Sequence, residues 1–169
     1  DAEAIEDALG DAVTESFQNI LISTFDGNLD LLKGLIEDSS VDDFIRSAAL
    51  RSFAYLAAAE EIDRPEAESY LAALSGGLDA VPGEFVWSEW AEVIALLGLE
   101  KFKPLIAAAI DDGRITPDIA DSVHYERTFA AASGRDDPLT VFNENNIRII
   151  TDVVAEFEGW YCFSEQRRR

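Results

Sequence analysis

From about Val13 to the end of the chain, apolar residues recur at three- and four-residue steps, the period of helices that bury one face. No stretch alternates apolar and polar positions while also being rich in β-branched residues, so strands are not expected. The clearest helix follows Ser39-Ser40, two residues suited to cap it. Asp42 and Asp43 fall in its first turn, where carboxylates favour the positive end of the helix dipole. Val41, Ile45, Ala48, Ala49, Phe53, Leu56 and Ala57 make its apolar stripe. Asp42 and Arg46, four apart, are spaced to pair on its flank. Further helices are predicted at about 13–25, 28–38, 65–76, 85–97, 100–112, 117–132 and 143–159. Between them stand the breakers Gly27, Asp63 with Pro65, Gly76-Gly77, Pro82-Gly83, Gly98, Gly113 and Gly134. Turns this short make neighbouring helices antiparallel.

The chain also resembles itself. The run Leu31-Leu-Lys-Gly-Leu-Ile-Glu-Asp38 matches Leu105-Ile-Ala-Ala-Ala-Ile-Asp-Asp112 at an offset of about 74 residues. Phe44-Ile45 with Ala54-Tyr55-Leu56 matches Phe85-Val86 with Ala95-Leu96-Leu97 at about 41. A period of about 37–41 residues, two helices each, suits an all-α superhelix of the HEAT or armadillo type. A single pair cannot bury its apolar face alone and must stack on the next. The expected pairs are about 13–38, 41–79 and 84–112, then a divergent pair at 117–159, all in one domain over 1–169 with a tail from 160.

Residues 41–57 resemble the first helix of a HEAT repeat, in which an acidic residue precedes a branched residue and arginine. In that motif the arginine, here Arg46, meets an acidic residue of a neighbouring turn and helps fix the stacking. More broadly, residues about 11–130 resemble the bacterial family called domain of unknown function 1186. The resemblance is carried by Asp26-Gly27-Asn28 before Leu31-Leu32-Lys33 and by Ile45-Arg46-Ser47-Ala48-Ala49-Leu50. Phe85-Val86-Trp87 with Trp90, and Leu97-Gly98-Leu99 with Pro104-Leu105-Ile106, complete it. It implies an α-solenoid and brings no activity. Members also carry further N-terminal helices and sometimes a cysteine-rich zinc motif, which this sequence lacks. Methionine is absent even from position 1, so residue 1 is expected not to be the translational start. The chain then reads as a fragment, a processed form or an incomplete record.

Charge narrows the partners. Thirty-four acidic residues against thirteen basic ones give a net charge of −21. Such a field repels phosphate backbones and anionic membranes, so neither is an expected partner. Arg167-Arg168-Arg169 is the one basic cluster and reads as a solvated tail. Cys162 stands alone, which rules out an intrachain disulfide and fits a reducing cytoplasm. No apolar run approaches the roughly 18 residues of a membrane span.

No catalytic set stands out, and no cofactor is implied. Asp26, Asn28, Asp30 and Glu37 imitate the spacing of a twelve-residue calcium loop. However, Leu31 sits where the bend needs glycine, and Asn28 reads more simply as a helix N-cap. His124, the single histidine, lacks partners in sequence and is expected on a surface or in helix packing. Adjacent acidic pairs such as Asp111-Asp112 point about 100° apart on a helix and seldom form a working dyad. Trp87, three before Trp90, lies off the stripe of Val86, Trp90, Ile94 and Leu97, so it fills a seam between repeats or is exposed as a contact. Trp160-Tyr161 is a second candidate patch.

The expectation is therefore a cytoplasmic scaffold with a carboxylate-rich groove along the second helices, suited to a basic protein segment. Candidate contacts are Trp87, Asp111, Asp112, Trp160 and Tyr161, with Arg46 and Asp42 structural. Its rivals are a metal-assisted hydrolase using scattered carboxylates and a nucleic-acid mimic that occupies a basic protein.

Overall fold

The computed structural model describes residues 16–157 except Ile119, and every regular element among them is helical. In chain order these are α1 (Phe17–Ser23), α2 (Leu29–Glu37), α3 (Asp43–Ala58), α4 (Arg64–Gly77) and α5 (Phe85–Leu96). A 3-10 turn (Glu100–Phe102) then leads into α6 (Lys103–Asp111), followed by α7 (Ser122–Ala132), α8 (Leu139–Glu144) and α9 (Val153–Phe157).

The odd-numbered helices α1, α3, α5 and α7 pack side by side, each against the next odd one. On one side of this row lie α2, packed on α3, and α4, packed on α3 and α6. These flanking helices bury only a stripe: Leu32 and Ile36 in α2, Ala67, Leu71 and Leu74 in α4, Ile106 and Ala109 in α6. The central helices are buried nearly all round. In α5 every residue except Phe85 and Glu92 is buried, including Ser88 and Glu89. In α3 the burial extends beyond the predicted stripe to Arg46, Ser47 and Ser52.

A second cover explains that burial. The helix predicted over 143–159 does not form as one element: among its described residues only 143–144, at the end of α8, and α9 are helical. Instead α8 ends at Glu144, and Asn146 takes a left-handed conformation (φ 58°). The N–H of Ile147 then closes onto the Phe142 carbonyl at 2.9 Å, the wrap that commonly ends a helix. Residues 145–152 form no regular element, and the β-branched residues Ile147, Ile149 and Ile150 disfavour a helix here. We call this segment the strap. It returns to the start of the described chain: Arg148 N donates to Asn19 Oδ1 at 2.9 Å and Ile150 N to Ser23 Oγ at 2.8 Å. Tyr55 of α3 meets Phe142 of α8 edge-on at 6.0 Å.

Polar contacts between successive helix pairs join residues at a recurring distance along the chain. Lys33–Glu66, Arg64 to the Leu97 carbonyl, and Lys101–Glu68 each join residues 33 apart. Arg46 lies in the same series. Its Nε donates to the Ile36 carbonyl at 3.0 Å and its Nη2 to the Asp79 carbonyl at 2.8 Å, while Glu84 lies 3.7 Å from Nη1. Asp42 does not pair with Arg46. It is itself the N-cap of α3, accepting from Phe44 N at 2.9 Å, because Ser40 is already turned to Asp38. Asp43 reaches further, accepting from Phe85 N and Val86 N at the start of α5. One carboxylate thus satisfies N–H groups that the next central helix leaves open.

Candidate functional site

On the face of the central row that the strap partly covers, a cleft of about 320 Å³ opens between α3, α5 and α7. Arg51 comes from α3, Ser88, Glu89 and Glu92 from α5, His124 and Tyr125 from α7, and Asn145 and Ile147 from the strap. Apolar walls are supplied by Phe85, Leu96, Ala120 and Ile147. The groove is expected along the second helices; the helical lining of this cleft comes from α3, α5 and α7. The second helices show amphipathic stripes and so announce an outer face, whereas the cleft sits where α5 buries charged residues among apolar ones.

Two carboxylates share the floor and meet different partners. Glu89, 3% exposed, pairs with Arg51, whose guanidinium also lies 6.0 Å from the Phe85 ring centre. Burial alone would lower the Arg51 pKa, but the charges of Glu89 and Glu92 outweigh it and raise it above its ordinary value. Glu92, one turn on and 19% exposed, makes no ion pair with an arginine or lysine among the described residues. It faces His124 Nε2 at 2.9 Å and accepts from Thr128 Oγ1 at 3.1 Å. Burial pushes the Glu92 carboxyl above the usual glutamate range, and the Glu89 charge adds to the rise against the lowering effects of His124 and Thr128.

Behind this pair, Tyr125 OH and Ser88 Oγ are 2.8 Å apart and buried. Burial pushes the Tyr125 phenol up to about 12, so it stays neutral near neutral pH. Asp121 caps α7 by accepting from His124 N at 2.9 Å, which fixes the first turn that carries His124 and Tyr125.

The residues singled out in the sequence lie elsewhere. Trp87 is 3% exposed, so it is packed inside and not an exposed contact. Its indole donates to the Ala80 carbonyl at 3.2 Å, its ring stands edge-on to Trp90 at 6.0 Å, and Arg114 covers it at 4.7 Å. Asp111 and Asp112 are exposed at the end of α6, and Asp112 is taken up by Arg114 at 2.8 Å. Trp160 and Tyr161 lie outside the described residues. In the calcium-like run, Asp26 accepts from Asn28 N at 2.9 Å and Asn28 caps α2 by accepting from Asp30 N at 3.0 Å. Glu37 is at the far end of that helix, which separates it from the other three. Among the described residues no group of three or more His, Cys, Asp and Glu side chains is arranged to hold a metal ion.

Arg51, Glu89, Glu92 and His124 were not singled out together because three separate helices contribute them. One signal pointed to part of the set. The run Phe85-Val-Trp-Ser-Glu-Trp-Ala-Glu-Val-Ile-Ala-Leu-Leu97 is apolar around most of its circumference, which marks a buried helix. Two glutamates three apart inside such a helix need internal partners or a ligand.

The described chain is thus an all-helical, strongly acidic protein with a polar cleft on its central helices. A family model described as "Protein of unknown function (DUF1186)" matches residues 1–164, and the chain belongs to that family. A curated relative, named "Uncharacterized protein", from Chlamydia muridarum (strain MoPn / Nigg) is 26% identical over 156 residues, covering 89% of this chain. The chain spans 59% of that relative's length. No solved structure matches. Among the described residues no helix is long and apolar enough to cross a membrane.

Proposed function

We propose that this chain is an acidic, HEAT-like scaffold without catalytic activity that engages a protein partner in the cytoplasm through a basic segment laid over the cleft. The observation that carries the reading is the cleft's charge. Its lining holds two carboxylates, Glu89 and Glu92, against one arginine, in a molecule of net charge −21. The field steers a cationic segment inward, and the low-polarity walls strengthen each ionic contact made there. Support for the HEAT-like description comes from the side-by-side row of odd-numbered helices and from the contacts that join residues 33 apart. Both are what stacked helix pairs would produce.

The test is binding of the full chain to an array of basic, neutral and acidic peptides over a salt series. Basic peptides should bind, and affinity should fall steeply between low and physiological salt as the Debye length shrinks to about 8 Å. Preference for neutral or acidic peptides, with no salt dependence, overturns the reading.

A further inference from the structure

The cleft has a donor and acceptor balance that selects what enters it. The Thr128 hydroxyl is turned to Glu92, the His124 ring nitrogen faces the same carboxylate, and Arg51 is held by Glu89. Asn145 donates one amide N–H to the Val141 carbonyl at 2.8 Å, which leaves its side-chain oxygen as an acceptor beside one further N–H. The formal charge of the lining is −1 with His124 neutral: one guanidinium against two carboxylates. A ligand that completes this arrangement brings hydrogen-bond donors and a positive charge. Leu96 and Ile147 are buried beside the polar floor, and Phe85 is half-buried next to Arg51, so the walls suit an unbranched methylene stem. A volume of about 320 Å³ holds one long side chain with room to spare.

We propose that the cleft is a seat for a single arginine or lysine side chain, with Glu92 as its counter-ion and Phe85, Leu96 and Ile147 against its stem. This rests on the scaffold reading above and gives it a location. Glu92 is the anchor because Glu89 already has Arg51, whereas the partner of Glu92 is a half-exposed imidazole (52%) that can swing aside. An incoming cation replaces His124 at Oε2, and the Thr128 bond to Oε1 can persist. Because burial favours the neutral form of Glu92, seating a cation in mildly acidic buffer should release a proton.

The probes are N-acetyl-arginine amide, N-acetyl-lysine amide and the uncharged citrulline amide, titrated into the full chain by calorimetry in two buffers of different ionisation enthalpy. The two cationic amides should bind and release a proton, and the citrulline amide should not bind. Glu92→Gln should weaken the arginine amide by about tenfold or more. Glu61→Gln changes net charge equally, at an exposed position outside the cleft lining, and should change binding by less than about twofold. Equal loss in both variants, or binding of citrulline amide as tight as arginine amide, overturns the seat. Proton release by the wild-type chain in mildly acidic buffer supports the same contact without any variant. Two mixed outcomes separate this inference from the reading beneath it. Basic peptides that bind equally well to Glu92→Gln and Glu61→Gln keep the protein partner and remove the seat. Amides that bind while longer basic peptides do not keep the seat and turn its occupant into a small free cation.

Discussion

Glu92 shows how one side chain can hold stability and recognition in opposition. Its carboxyl is pushed up by burial first, then by the charge of Glu89, so folding favours the protonated form more than the unfolded chain does. A group whose folded pKa lies above its unfolded one stabilises fully below the unfolded value, and that contribution is lost as pH rises through the folded value. The carboxylates held down by hydrogen bonds, exposed Asp38 and Asp112 and half-buried Glu68, work the other way and lose their contribution as pH falls. The difference between wild type and Glu92→Gln isolates the cleft from this background. Glutamine keeps an acceptor for Thr128 and carries no charge, so the variant should gain on the wild type as pH rises from the ordinary glutamate range toward neutral. Thermal melts of both proteins across that range would check it, and a flat or opposite difference curve refutes it. None of this pairing was legible in the sequence. Glu92 and His124 are 32 residues apart on different helices, and no local pattern sets their meeting.

At the scale of elements, Arg46 joins three pieces of chain with one planar group. From within α3 it satisfies the carbonyl of Ile36 at the end of α2 and that of Asp79 in the loop between α4 and α5, and it lies near Glu84. Its guanidinium is buried, so removal leaves the Ile36 carbonyl without this donor in a buried place and the Asp79 carbonyl without it in a half-buried one. Arg46→Ala should cost about 2–5 kcal/mol in urea unfolding, as expected for a broken buried network together with a cavity. Arg46→Lys should recover only part, because one ammonium on a single stem cannot copy the guanidinium fork. A loss below about 0.5 kcal/mol, the scale of an ordinary surface change, would show that the loops hold without it. The helices around Arg46 were readable because periodicity and glycine stops are local signals. At Gly98 (φ 65°), for example, Leu99 N closes onto the Ile94 carbonyl at 3.1 Å to end α5. The strap was not readable as such. Its helix stop is Asn146 rather than a glycine, and its hydrogen-bond partners, Asn19 and Ser23, are more than a hundred residues earlier.

For the whole molecule, the strap turns a row of helices into a covered one. A row of helices covered on one side by α2 and α4 would leave the other face of α3 and α5 open, yet these helices are buried on nearly every side. The strap closes that face at a point that matters for the cleft, since Asn145 and Ile147 belong to its lining and Arg148 to its anchor on α1. Its hold on α1 rests on two side-chain acceptors, Asn19 Oδ1 and Ser23 Oγ, and Ser23 in turn donates to the Asn19 carbonyl at 2.6 Å. Removing one acceptor should release the strap locally before it unfolds the core, because bonds near solvent open at lower free energy than the central helices. Ser23→Ala should therefore speed hydrogen exchange at Ile150 and Arg148 while exchange at the amides of α3 and α5 changes only with global stability, which should fall by about 1 kcal/mol. Loosening the strap moves the Ile147 wall, so the same variant should weaken binding of the arginine amide although it touches none of the cleft's charged groups. Exchange that rises equally in the strap and in α5 would mean that strap and core open as one unit, and an unchanged strap would mean that packing of Phe142 and Ile147 holds it without the hydroxyl.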